Sequence, residues 1–255
     1  MIHNSFLGFF MFRRIANTAQ VVWFAIKFAA TIIAGWLVVV ALVWVFQQPV
    51  VTELKQSSLF VWDILARLET AVKIAGGLFL TTWVLGFLDQ FIFRGSLKKR
   101  LGFVSRGPFS LISWVSSHFV HSDKTHLMNN TKTLLLFATI AILIVPSFGL
   151  ILPLFFWMLI VQGAGVWIFG GKHRNHIGAS GLVMGFYSFD VLHGILALGW
   201  ETAVALLLLY FYGKIIYINL RHTPPTTSGA GHLWGFISGI VAAYLISPFG
   251  PLFPL

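Results

Sequence analysis

Three groups of polar residues interrupt an otherwise apolar chain. The first is His121-Ser122-Asp123-Lys124-Thr125-His126-Leu127-Met128-Asn129-Asn130, the second Gly178-Ala179-Ser180-Gly181, and the third Gly231-His232-Leu233-Trp234-Gly235 with Gly239 beyond it. These residue types suit acyl transfer. A serine hydroxyl is a weak nucleophile and needs an adjacent base, most often histidine. The tetrahedral intermediate then needs hydrogen-bond donors aimed at its oxyanion. Ser180 suits the nucleophile and His232 the base. His126, Asn130 and the backbone amide of Ser180 suit the donors. His126 and Asn130 are four residues apart and share one face of a helix. A helix beginning at Ser180 would add free amides and the positive end of its dipole.

Each group alone has a plainer reading. Gly-x-Ser-Gly in a membrane helix is often only packing. A single histidine in a glycine-rich helix is often a satisfied polar residue, and His126 with Asn130 could mark a solvated helix start. Their joint presence and order favour chemistry. The other histidines, His118, His173, His176 and His222, fall in expected loops and read as ordinary polar residues. Asp89, Asp123 and Asp190 are scattered and there is no cysteine, so neither a metal site nor a cofactor is expected.

The elements that must position these groups are long apolar blocks, expected as helices over residues 20–46, 74–93, 126–145, 150–169, 180–198, 201–218 and 230–246. A helix needs roughly 20 residues to cross a hydrocarbon core. Helix is favoured because each backbone amide must be satisfied within the segment in lipid. A β-barrel would need two-residue alternation, which the blocks lack. Residues 59–68 are a candidate interfacial helix. Gly181 and Gly185, and Gly231, Gly235 and Gly239, recur every four residues, a spacing that lets two membrane helices approach closely. Docking along those stripes would bring Ser180 towards His232.

Composition agrees. The chain is 58% hydrophobic and 9% charged, too apolar for a soluble surface. The net charge of +10 sits mostly in short connections, which lipid headgroups and topology explain without nucleic acid. The apolar run after Arg14 is too long for a cleaved signal, so a retained helix is expected. No internal repeat is visible, which argues against an inverted-repeat transporter.

The order His121, His126, Asn130, then Gly178-Ala179-Ser180-Gly181, then Gly231-His232 with Gly235 and Gly239, resembles the rhomboid intramembrane serine proteases. The resemblance covers residues 74–246. It implies an all-α membrane fold: a six-helix rhomboid-like bundle with one extra N-terminal transmembrane helix. It divides the chain into an N-terminal extension, residues 1–73, and a catalytic core, residues 74–255. It implies Ser180 as nucleophile, His232 as general base, and an oxyanion hole of His126, Asn130 and the Ser180 amide. It assigns His121 a supporting role beside Gly178, Gly181, Gly235 and Gly239. Two departures stand out. Met184 replaces an aromatic residue that many members stack on the histidine, and Val115 follows Trp114 where many carry arginine.

The implied activity is cleavage of transmembrane segments of other proteins by a Ser-His dyad, in a lipid bilayer, without nucleic acid. The alternatives are an inactive relative that binds transmembrane helices, and a channel or transporter. The expected location is a bacterial inner membrane, with the oligomeric state open. Seven spans place twelve basic residues on the active-site side and three on the other, and the positive-inside rule then points that side to the cytoplasm. The resemblance implies the opposite, and we take the extracytoplasmic orientation.

Overall fold

A computed structural model describes residues 59–222 and 227–247, together with Ala30, Leu37, Ala41, Trp44 and Gln48. The expected span over residues 20–46 therefore lies largely outside the described residues. Eight helices follow: α1 (Leu59–Phe87), α2 (Leu97–Leu101), α3 (Leu111–Ser116), α4 (Lys124–Ile144), α5 (Ile151–Phe169), α6 (Ser180–Ala197), α7 (Trp200–Arg221) and α8 (Gly229–Ile246). Among the described residues six helices are long and apolar enough to cross a membrane: α1, α4, α5, α6, α7 and α8. The fold is the all-α bundle that the sequence implied.

Five of these spans begin and end close to the expected positions. The span that does not is α1, expected from residue 74 but starting at Leu59. The intervening charges are accommodated along the helix by pairs four residues apart: Asp63 with Arg67 and Glu69 with Lys73, each at 2.6 Å. The candidate interfacial helix is thus the first part of α1. Arg67 also donates to the carbonyls of Val145 and Pro146 and lies over the Phe148 ring at 5.5 Å. A cation at the end of α4 meets unpaired carbonyls and the negative end of the helix dipole. Beyond Phe87, α1 continues as a single π turn, Leu88–Ile92.

α6 is the central helix. It packs against α4, α7 and α8, and residues Gly181 through Asp190 are all buried. Its contact with α8 follows the glycine stripes. A side chain at Gly235 would overlap the Gly181 carbonyl, and one at Gly239 would overlap the Gly185 carbonyl. On the other side of α8, the Trp234 indole lies against Gly165 of α5.

The connection between α1 and α4 is folded onto the bundle. β1 (Phe103–Val104) pairs antiparallel with β2 (Asn175–His176), the segment just before Ser180. Trp114 of α3 lies on Gly163 and donates its indole N–H to the Leu159 carbonyl at 3.0 Å. Arg106 donates to the Ile168 carbonyl at 2.9 Å, and Trp167 donates to the Gly107 carbonyl at 3.2 Å. These contacts anchor the connection with Val115 standing after Trp114.

Candidate active site

Ser180, His232, His126, Asn130 and Met184 line one cavity of ≈ 600 Å³. α4 supplies His126 and Asn130, α6 supplies Ser180 and Met184, and α8 supplies His232. α7 closes the opposite wall with Tyr212, Ile215, Ile216 and Asn219. Phe137 of α4 meets Tyr212 of α7 edge-to-face at 5.2 Å. Lys132, within the α4 span, also lines the cavity. It was inconspicuous in sequence because it falls inside an apolar block.

Ser180 is the first residue of α6, so its N–H has no acceptor within the helix. The chain reaches this start through Gly178, whose φ of +102° disfavours any side chain. A Cβ there would also stand 2.7 Å from His126 Cε1, 3.0 Å from its Nε2 and 3.3 Å from Asn130 Nδ2. His126 Nε2 and Asn130 Nδ2 therefore converge on the segment just ahead of Ser180. Both atoms are buried and, among the described residues, have no hydrogen-bond partner. Unpaired buried polar atoms are rare and costly, so their convergence beside Gly178, two residues ahead of Ser180, calls for a ligand or reacting group.

His232 is buried, and its Nδ1 lies 3.2 Å from the Asn219 carbonyl. A carbonyl only accepts, so Nδ1 carries the proton and Nε2 keeps a free lone pair. A general base requires that tautomer. The orienting group comes from α7 and is backbone, which side-chain identity does not reveal. Among the described residues no hydrogen bond joins Ser180 Oγ to His232 in this geometry. Catalytic hydrogen bonds are often loose before substrate binds.

His121 lies outside the cavity lining. Its Nε2 accepts the Ala179 N–H at 3.3 Å, and its ring meets that of His126 edge-on at 5.1 Å. Burial, aided by His126, pushes His121 down to about 3. His121 is thus a neutral support for the turn into Ser180.

Two histidines read as ordinary loop residues are in fact buried beside the site. Burial pushes His118 down to about 4. Burial likewise lowers His176, whose ring nitrogens meet Ser228 Oγ at 2.6 Å and Ser105 Oγ at 3.1 Å. His176 thereby ties the first connection to the start of α8. His173 and His222 are exposed, as expected. His118, His176, Gln162, Gly178, Ser180 and Gly181 border a second, small cavity of ≈ 30 Å³ behind the serine. That space is enough for one water with polar partners. Among the described residues, no three or more His, Cys, Asp or Glu side chains converge as a metal would need.

A model of the Rhomboid domain matches residues 108–249, more than half of the chain. The chain belongs to the rhomboid family. Every residue lining the cavity falls inside that match. Uncharacterized proteins of Mycobacterium bovis and Mycobacterium tuberculosis are 33% identical over 136 residues, covering 50% of this chain and 56% of each relative. An uncharacterized protein of Mycobacterium leprae is 32% identical over 144 residues, covering 50% and 53%. The chain thus spans about half the length of the curated relatives it matches. No solved structure matches it significantly. As a rhomboid with six apolar helices among its described residues, the chain is an integral, multi-pass membrane protein.

Proposed function

We propose that this rhomboid is an active intramembrane serine endopeptidase that hydrolyses peptide bonds in or near transmembrane segments of other proteins. One observation carries the reading: Ser180 and His232 share a cavity with His126 and Asn130, whose Nε2 and Nδ2 are buried with no hydrogen-bond partner among the described residues. Ser180 Oγ attacks the substrate carbonyl carbon while His232 Nε2 takes the hydroxyl proton. The oxyanion receives hydrogen bonds from His126, Asn130 and the Ser180 N–H. Collapse of the intermediate breaks the C–N bond as His232 returns its proton to the leaving amine. Water, deprotonated by His232, then releases the acyl group from Ser180. The small cavity behind Ser180 has room to supply such a water.

The cavity lies between α4 and α7, which are the walls a substrate segment would meet. A regular helix hides its carbonyls in internal hydrogen bonds, so the segment must unwind at the cut. Helix-weakening Gly or Pro near that point favours this. A fluorophosphonate probe is expected to label wild-type protein in membranes and to fail on Ser180→Ala. The other reading, a helix-binding rhomboid without activity, draws on the lack of a Ser180–His232 hydrogen bond among the described residues and on Met184, in the cavity lining, where many members carry an aromatic residue. It predicts no labelling of either protein.

We propose further that the site faces the extracytoplasmic side of a bacterial inner membrane; the mycobacterial relatives accord with a bacterial setting. Reporters fused after Arg14 and after Leu255 are then expected outside and inside, respectively. The reverse pattern would favour the positive-inside count and overturn the placement.

A further inference from the structure

The entry to α4 contains a chain of hydrogen bonds that the proposed mechanism leaves unused. Ser122 Oγ lies 2.7 Å from Asp123 Oδ2 and 3.0 Å from His126 Nδ1. Asp123 also caps α4, accepting the His126 N–H on Oδ1 at 2.9 Å. That backbone N–H, and then the Ser122 hydroxyl, hold the Asp123 carboxyl below its ordinary range. The ionised carboxylate only accepts, and the Ser122 hydroxyl has a single proton to give. That proton goes to Asp123. Ser122 Oγ must therefore accept from His126, which puts a proton on Nδ1.

The consequence lies at the other ring nitrogen. Nε2 is the buried, unpaired atom beside Gly178. In a neutral ring protonated at Nδ1, Nε2 is a bare lone pair and would repel an oxyanion. It donates only when the ring carries a second proton. We infer that Ser122 and Asp123 are positioning residues that make His126 act as an imidazolium, a cationic rather than neutral donor to the oxyanion. The inference rests on the protease reading above. The second proton is taken up from water before the chemical step and is not consumed. A charge-assisted hydrogen bond is roughly twice as strong as a neutral one, and the arrangement supplies its own counter-ion through Ser122.

The His126 ring is half-buried, which opposes the cation, so its charge depends on the neighbours that face it. Asp123 favours the cation, as does Asp89 at the end of α1, which borders a small cavity with Asp123 and His121. Lys98 of α2, donating to the Ser122 carbonyl at 3.2 Å, opposes it, as do Lys124 and Lys132 of α4. His121 is held neutral by burial. His232 of α8 must be neutral to serve as base. α6 and α7 bring no charged side chain to the cavity lining.

Asp123→Asn separates this role from simple capping. The amide oxygen still accepts the His126 N–H, so the helix start is kept. The amide N–H now donates to Ser122, whose hydroxyl turns to donate to His126 Nδ1. The neutral ring then carries its proton on Nε2. In the wild type, kcat is expected to fall on the alkaline side as His126 loses its second proton. In Asp123→Asn that alkaline limb should vanish, leaving a plateau about tenfold lower, as a neutral donor replaces a charged one. An equal loss at every pH, with the limb in place, would mean a merely structural role and overturn the inference. Nitrogen-15 spectra of labelled histidine, read at alkaline pH without substrate, test the same point independently of activity. The expected neutral His126 is protonated on Nδ1 in the wild type and on Nε2 in Asp123→Asn. A wild-type ring protonated on Nε2 would overturn the inference even in an active protease. The expected tautomers in a protein that fails to label at Ser180 would instead fault the protease reading alone.

Discussion

Ser180→Ala is expected to reduce cleavage of a transmembrane substrate by roughly 10⁴-fold or more, and His232→Ala to do about the same. The double variant should be scarcely worse than either single one, because a nucleophile and its base act as one unit. The ground for this is geometric. Ser180 opens α6 and His232 lies near the start of α8, and both face one cavity. The Asn219 carbonyl fixes the His232 proton on Nδ1 and leaves Nε2 free for the serine. Asn130→Ala should behave differently. It removes one of several donors and leaves the nucleophile intact, so about 2.7–4 kcal/mol of transition-state stabilisation should be lost. In single-turnover assays with reconstituted protein, that corresponds to about 10²–10³-fold, with activity still measurable. Substantial turnover by Ser180→Ala would remove the nucleophile assignment. Strictly multiplicative losses in the double variant would show that Ser180 and His232 do not work as a unit.

How much of this was legible in sequence depended on locality. His126 and Asn130 share a helix face because they are four apart, and that spacing is visible in the chain. The α6–α8 contact was legible for the same reason, since the glycine stripes repeat within each helix. The start of α1 was not, because charged residues read as a loop unless their four-residue pairing is given more weight than their polarity. His176 was misread because its burial comes with the distant β1–β2 pairing, and His118 because the neighbouring Ser117 carbonyl accepts the N–H of distant Gly178. Two residues per strand leave no periodic signal. The anchoring of Trp114 on Gly163 is likewise a contact between separate segments. The orienting carbonyl of Asn219 belongs to the backbone, so no side-chain pattern announces it. Ser122 and Asp123 were in view as part of a motif. Sequence does not show that the Ser122 hydroxyl lies between the Asp123 carboxylate and the His126 imidazole, because that depends on side-chain geometry at the helix start.

Replacing Gly239 by valine is expected to lower thermal stability sharply and weaken probe labelling, though Gly239 stands two helical turns from His232. A Cβ at Gly239 would overlap the Gly185 carbonyl and crowd Ser188 Oγ. The carbonyl belongs to the backbone of the central helix and cannot rotate away as a side-chain tip can. Ser188 is also committed, donating to the Phe236 carbonyl at 2.7 Å. The helices must therefore separate, and overpacking of this kind costs about 1–3 kcal/mol and occasionally more. For a chain of this size each kcal/mol corresponds to about 2–4 °C in Tm. Gly235→Ala tests the same contact nearer the dyad. Its Cβ would overlap the Gly181 carbonyl, one residue beyond Ser180, so labelling should fall further there for a given loss of stability. Gly77→Ala is the control. Gly77 lies within α1 with nothing inside 4 Å of an added Cβ, and alanine is the better helix former by about 0.8–1.0 kcal/mol. Its Tm should hold or rise. Tm in detergent and probe labelling in membranes, measured on all three variants, decide the matter. Wild-type stability in Gly239→Val would mean that α6 and α8 do not meet along this stripe, and would remove the packing that holds Ser180 and His232 in one cavity.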